Sequence, residues 1–142
     1  MPAASARRPT GLTLLSVFFA AGTIPSTATA VALAWPGAWS EQMWRLKPEA
    51  PSDFASLGPA AIPLMLLVAL ACGAAAAGLW TRQRWGYWTA VGLLTLNLIG
   101  DALNAILRSD WRTLIGVPIG AAILAYLLSR PIQDWFSLAP LS

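Results

Sequence analysis

Long apolar runs separated by short polar segments are the dominant pattern along this chain. Runs of about 18 or more apolar residues are typical of membrane-spanning helices. Four stretches fit or approach this description, at about residues 11–35, 58–80, 85–107 and 113–129. The pattern therefore predicts an all-α integral membrane protein, a four-helix transmembrane bundle in which residues 1–142 form a single membrane domain.

The first run has two interpretations. The basic pair Arg7 and Arg8, the apolar core and the small residues at 28–30 are compatible with a cleavable secretory signal. However, the apolar character continues past that motif to Trp35, which gives the run enough length to span a bilayer at about 1.5 Å per residue. We therefore expect a retained first span, bent near Pro25 because proline interrupts the helical hydrogen bonds.

The polar segment between the first two spans carries a helical pattern of its own. Four apolar side chains recur at spacings of four, four and three residues, at Trp35, Trp39, Met43 and Leu46. This spacing places them on one face of a helix, whereas Glu41 and Arg45 fall on another face. Tryptophan is favoured at the level of the lipid headgroups. The segment at about residues 37–47 is therefore predicted to form a short helix lying in the membrane interface.

Composition supports the membrane assignment and suggests an orientation. Only 11% of the residues are charged, compared with about 25% in a typical soluble domain. The basic residues lie beside the apolar runs, where an excess of Lys and Arg marks the cytoplasmic side. With the N-terminus inside, the cytoplasmic side receives Arg7, Arg8, Arg82, Arg84 and Arg130, and the outer side receives Arg45, Lys47, Arg108 and Arg112. This small difference predicts two cytoplasmic termini. A high content of Ala, Gly, Arg and Trp with little Lys indicates a bacterial inner membrane.

The residue inventory narrows the chemistry that the chain can perform. It has no histidine and one cysteine, Cys72, which excludes a His/Cys metal cluster, a Ser-His-Asp triad and a disulfide within one chain. The net charge of +3 is not gathered into a basic stripe that would follow a phosphate backbone. We therefore expect a non-enzymatic protein that lies in the lipid bilayer, with no metal, no cofactor and no bound nucleic acid.

A line of polar side chains interrupts the third span, in the stretch "LNLIGDALNAILRSD". We call this line the polar stripe, and it consists of Asn97, Asp101, Asn104 and Arg108. Successive residues of a helix are rotated by about 100°, so these four side chains fall within about 60° of arc around the helix axis. The polar stripe runs from the middle of the span towards the outer end. A central Asp costs about 2.5–3.5 kcal/mol of insertion free energy, so the polar stripe is predicted to face other helices or water.

The polar stripe has two functional interpretations. In the first, it hydrogen-bonds to neighbouring helices, and the protein has an accessory, scaffold or assembly role with a second copy or another membrane protein. The hydroxyl-rich half of the first span offers partners at Thr23, Ser26, Thr27 and Thr29. In the alternative, the protein is a small dimeric transporter or channel for a cation, proton or cationic solute. Asp101 then carries the charge, Asn97 and Asn104 are neutral ligands, and Arg108 is a gate or counter-ion.

Small residues mark two candidate packing faces. Residues four apart lie on one side of a helix, and small ones allow two backbones to approach closely. The second span offers Gly73 and Ala77, and the fourth span offers the GxxxG pair Gly116 and Gly120. These four positions are predicted to lie at helix–helix contacts.

Basic and aromatic residues are concentrated between the second and third spans. Arg82, Arg84, Trp85 and Trp88 lie there, and arginine beside tryptophan at a membrane surface is suited to anionic lipid headgroups. An aromatic belt with ordinary orientation charges explains the same residues.

Overall fold

The computed structural model describes residues 7–109, 111 and 113–137. Within these residues the chain forms seven α-helices and one 3₁₀ turn, and no β-strand. The helices are α1 Thr10–Ala34, α2 Ala38–Trp44, α3 Ala50–Leu57, α4 Ala61–Trp80, α5 Arg84–Arg108, α6 Thr113–Leu127 and α7 Arg130–Ser137, and the 3₁₀ turn is Gly58–Ala60. The all-α class predicted from the apolar runs is confirmed. Arg112, counted above among the outer charges, lies outside the described residues.

Three stretches of helix are long and apolar enough to cross a membrane: Thr10–Ala34, Ala50–Trp80 and Arg84–Arg108. The helix α6 has only 15 residues and measures about 22 Å at 1.5 Å per residue, less than a hydrocarbon core of about 30 Å. Helices α6 and α7 pass the same test only as a pair bent by 48°, which makes a fourth candidate span if the pair is one span. The fourth span predicted at 113–129 thus differs in the structure, because α6 ends at Leu127 and Pro131 starts a new helix in its first turn.

Residues 18–73 form one of two compact units. Here α1 remains helical through Pro25. Hydroxyl groups donate to carbonyls one turn back, from Thr23 to Phe19 (3.1 Å), from Ser26 to Gly22 (3.0 Å) and from Thr27 to Thr23 (2.8 Å). Bonds of this type satisfy polar side chains inside a helix, where lipid offers no partner. The hydroxyl-rich half of α1 can therefore exist in an apolar environment.

The polar segment of this unit folds as two short helices. The interfacial helix predicted at about 37–47 corresponds to α2, which ends at Trp44. Its first turn is closed by buried Ser40, whose Oγ accepts a hydrogen bond from the Gly37 amide (2.9 Å) and donates to the Gly37 carbonyl (2.7 Å). The second helix, α3, was not predicted, because Pro48 and Pro51 suggest a loop. Pro51 lies at the start of α3, where proline is favourable.

The other unit comprises residues 1–17 and 74–142. Its α5 packs along α6, and α7 contacts both helices. The buried side chains of these helices are Tyr87, Ala90, Leu94, Leu127, Ile132 and Phe136. The hydroxyl of Tyr87 donates to the Leu127 carbonyl (2.9 Å), and its ring lies 5.0 Å from that of Phe136. Tyr87 on α5 therefore contacts both the C-terminal end of α6 and one face of α7.

The turn from α4 to α5 is tight. Arg82 adopts a left-handed backbone with φ 60°, and the Gln83 amide donates to the Gly78 carbonyl at 2.8 Å. This is the long bond of a Schellman motif, which satisfies a carbonyl at a helix C-terminus. The backbones of Gly78 and Gly86 are in direct contact, such that a Cβ atom on either glycine would overlap the Cα atom of the other. Only glycine at both positions permits this approach of α4 and α5.

We predict that Gly86→Ala lowers the thermal stability of the purified protein. The added methyl group would meet backbone atoms of Gly78, and backbone overlap of this kind costs about 1–3 kcal/mol. Gly92→Ala is a matched control on the same helix, because no atom lies within 4 Å of a Cβ at Gly92. That control should be neutral or stabilising, since Ala is favoured over Gly inside a helix by about 1 kcal/mol. Equal melting temperatures for the two variants in one detergent would contradict this packing.

Candidate functional site

The polar stripe lies on a single uninterrupted helix, α5. Asp101 and Asn104 are half-buried, whereas Asn97 and Arg108 are exposed. Ala90 and Leu94, which are buried two turns and one turn earlier, lie within about 60° of Asn97 around the helix axis at 100° per residue. The polar stripe therefore continues the packed side of α5 towards its C-terminus. Its first member, Asn97, lies near the middle of α5 and is exposed.

The carboxylate of Asp101 lies against the small-residue face of α6. A methyl group in place of the Gly116 hydrogen would be 3.2 Å from Oδ2 of Asp101. One turn further along α6, a methyl group at Gly120 would be 3.5 Å from Cδ1 of Leu98. Both glycines of the GxxxG pair therefore contact α5, and the first of them makes room for the acid. The sequence offered no sign of this pairing, because it places the two features on different spans.

The amide and carboxylate groups at the centre of the polar stripe are not engaged within the described part of the chain. No hydrogen bond or ion pair joins Asn97, Asp101 or Asn104 to another described residue. The hydroxyls of Thr23, Ser26 and Thr27, which were expected to be partners, donate within α1. Among the described residues no group of three or more His, Cys, Asp or Glu side chains is gathered. The chemistry of the polar stripe is that of one carboxylate between two amides.

The other predicted packing positions differ in their surroundings. A Cβ atom at Gly73 would lie 3.9 Å from Oγ1 of Thr23, and one at Gly22 would lie 3.8 Å from Sγ of Cys72. Small residues thus bring α1 and α4 together in the unit of residues 18–73. Ala77 is exposed, and its neighbour Gly78 is buried instead.

The arginines near the end of α4 bind the carbonyl ends of helices. Arg8 donates to the carbonyls of Trp80 (2.9 Å) and Leu79 (3.2 Å), and its guanidinium lies 4.4 Å from the centre of the Trp80 ring. Arg82 donates from Nε to the Trp135 carbonyl (2.9 Å) and stacks on the Trp135 ring at 4.1 Å. The last carbonyls of a helix lack partners within the helix and carry its negative dipole end. These cations therefore cap α4 and α7.

Arg84 completes the cap of α7. It donates from Nε to the Phe136 carbonyl (3.2 Å) and from Nη2 to the Ser137 carbonyl (2.6 Å). Trp85 and Trp88, the aromatic neighbours singled out in the sequence, are 52% and 64% exposed, and their side chains are available to lipid. Sequence reasoning missed α7. The signal for it was the four-residue spacing of Ile132 and Phe136, which is a helical one.

Comparisons with protein-family models, with curated proteins and with solved structures gave no significant match. The function of this chain is therefore inferred from its own residues and their geometry.

We predict an energetic coupling between Gly116 and Asp101. Gly116→Ala forces the carboxylate of Asp101 to move, because 3.2 Å is closer than an ordinary contact, and we expect a loss of about 1 kcal/mol in unfolding free energy. The loss should be smaller in an Asp101→Ala background, since residues in contact show non-additive effects. Gly120→Ala serves as the control, because its methyl group would meet Leu98 at an ordinary distance of 3.5 Å. Additive effects of Gly116→Ala and Asp101→Ala in a denaturation cycle would contradict the contact.

Proposed function

We propose that this chain is a small multi-pass membrane protein with a non-enzymatic accessory, scaffold or assembly role. Its four spans would be α1, α4, α5 and the bent pair of α6 and α7, with α2 in the membrane interface. The polar stripe of α5 would pack against a helix of a partner chain. The observation that carries this proposal is the exposure of Asn97 in the middle of α5.

The cost of leaving the polar stripe against lipid supports the proposal. Asp near the centre of a span costs about 2.5–3.5 kcal/mol, whereas each Leu or Ile returns only about 0.3–0.6 kcal/mol. The helix α6 covers Asp101 at Gly116 and leaves the side of Asn97 uncovered. A polar group in hydrocarbon is stabilised by a helix that offers it a hydrogen bond. A second protein helix at this position removes the cost that lipid would impose.

The shape of α5 supports the same proposal. Gly100 is exposed and has no atom within 4 Å of a Cβ position, and it lies about 60° from Asn97 around the axis at 100° per residue. A glycine beside an amide lets another backbone approach closely while the amide hydrogen-bonds across the contact. An asparagine amide both donates and accepts, so two copies of Asn97 satisfy each other in a symmetric dimer. A second copy is therefore the partner we test first.

The charges flanking the spans support a location in a bacterial inner membrane with both termini cytoplasmic. In that orientation Arg8, Arg82 and Arg84 lie on the cytoplasmic side, as the positive-inside rule requires. Their capping contacts with α4 and α7 hold these cations at the same end of the spans.

A transporter or channel for a cation, proton or cationic solute is the second candidate. One observation favours it: the half-buried carboxylate of Asp101 makes no hydrogen bond to another described residue. In this proposal Asp101 carries the charge, the amides of Asn97 and Asn104 are neutral ligands, and Arg108 is the gate or counter-ion. Intramembrane carboxylates commonly serve ion and proton pathways.

We predict that the double variant Asn97→Leu, Asp101→Leu assembles more weakly than the wild type. The double change removes the hydrogen-bonding groups, each of which contributes about 0.6 kcal/mol to helix association, so the dimer dissociation constant should rise by about fiftyfold for two such groups on each copy. Thr95→Leu is the control, because Thr95 lies on the opposite side of α5 and donates to the Val91 carbonyl of its own helix. The oligomer fraction is measured by single-molecule photobleaching in liposomes over a dilution series.

The variant Asp101→Asn separates the two candidates. Under the assembly proposal it leaves the oligomer fraction nearly unchanged, because the amide still hydrogen-bonds. Under the transport proposal it abolishes proton or cation flux into liposomes, since the charge is lost. If the wild type carries a proton or cation flux, and Asp101→Asn abolishes that flux but keeps the oligomer fraction, the transport proposal would replace the assembly proposal. A monomeric wild type would contradict assembly with a second copy.

A further inference from the structure

A surface cavity lies between α5 and α7, on a different part of α5 from the polar stripe. Its volume is about 280 Å³. Its lining consists of Arg84, Tyr87, Trp88, Gln133, Phe136 and Ser137. A water molecule occupies about 30 Å³ in the liquid, so the cavity has room for a phosphate group and the atoms esterified to it.

Arg84 supplies the cavity with a fixed cation that has donors to spare. A guanidinium carries five N–H donors in one plane. Within the described residues, one donor of Nε is used by Phe136 and one of Nη2 by Ser137. The other three donors make no hydrogen bond to a described residue. Because the two carbonyls hold the guanidinium in place, a ligand would not have to order it, and planar arginine groups bind phosphate oxygens in a bidentate manner.

The rest of the cavity lining combines aromatic rings with one neutral polar side chain. The Tyr87 ring is 5.0 Å from the Phe136 ring and 5.2 Å from the Trp88 ring, so three aromatic groups form a continuous wall. Gln133 also lines the cavity and donates from Nε2 to the Leu128 carbonyl (2.8 Å). A ligand that matches the cavity therefore has an anionic head and an apolar body.

The position of the cavity favours a membrane lipid as the source of that anion. It lies beside the first turn of α5, where exposed tryptophans mark the level of the headgroups. This level places phosphate next to Arg84 and the glycerol and first methylene groups next to the aromatic wall. Arg82 belongs to a different contact, because its guanidinium stacks on Trp135.

We propose that the cavity between α5 and α7 binds the phosphate of an anionic phospholipid, with Arg84 as the phosphate ligand and Trp88, Tyr87 and Phe136 as the apolar wall. The bound lipid contacts α5 and α7 together and so holds α7 against α5. This site does not depend on the role of the polar stripe.

The test is native mass spectrometry of the delipidated full-length protein in detergent. The protein is titrated with phosphatidylglycerol and, separately, with phosphatidylcholine of the same acyl chains. Both lipids carry a phosphate, but the choline cation of phosphatidylcholine would lie near the like-charged guanidinium of Arg84, so the wild type should bind the first phosphatidylglycerol about tenfold more tightly than phosphatidylcholine. Arg84→Gln should remove that preference.

Two further variants keep the test independent of folding effects at Arg84. Ser137→Trp fills the cavity but leaves the backbone carbonyl that Arg84 uses, so it should also weaken phosphatidylglycerol binding. Arg45→Gln removes an exposed arginine elsewhere in the chain and should leave the preference intact. Retention of the preference in both Arg84→Gln and Ser137→Trp, or an equal loss in Arg45→Gln, would overturn the proposal.

Competition with inorganic phosphate distinguishes the two sources of the anion. A site for lipid should retain phosphatidylglycerol in an excess of inorganic phosphate, because the aromatic wall contributes only to lipid binding. Displacement of the lipid by inorganic phosphate at a similar concentration would overturn the assignment to a phospholipid.

Discussion

The contact between the backbones of Gly78 and Gly86 is the constraint on which the unit of residues 1–17 and 74–142 depends. It brings the end of α4 against the start of α5 at a distance that a single methyl group would prevent. The turn between the two glycines then has to reverse within a few residues, and Arg82 adopts a left-handed backbone to do so. A non-glycine residue in that conformation costs about 1–2 kcal/mol, which the stacking of its guanidinium on Trp135 helps to offset.

The consequences of that turn extend to α7. Because α5 begins at Arg84 directly after the turn, Arg84 and Tyr87 are both directed to the helix that follows α6. Arg84 binds the last carbonyls of α7, and Tyr87 binds the last carbonyl of α6. The last carbonyls of a helix lack partners within the helix, so a side chain that reaches them helps to determine where the helix can end. The bend between α6 and α7 and the cavity beside Arg84 both follow from this arrangement.

The features that could be predicted from the sequence are those that depend on composition over a long window. The runs that became α1, α4 and α5 were found because their length and apolar character need no tertiary context. The angular alignment of the polar stripe was also predictable, because the 100° rotation of a helix is independent of its neighbours. Neither the end of α6 at Leu127 nor the start of α7 was predicted, because both depend on contacts with Tyr87 and Arg84. The pairing of Asp101 with Gly116 was invisible for the same reason, since one residue lies on α5 and the other on α6.

We propose that the polar stripe is a dry contact between proteins. The most direct test places a cysteine at Asn97 in a Cys72→Ala background and treats native membrane vesicles with a membrane-impermeant maleimide and, separately, with a thiol oxidant. At a dry contact between two copies, Asn97→Cys is protected from the maleimide and forms a disulfide-linked dimer. Rapid labelling of Asn97→Cys from one side of the membrane, without a dimer, would show instead that water reaches the polar stripe.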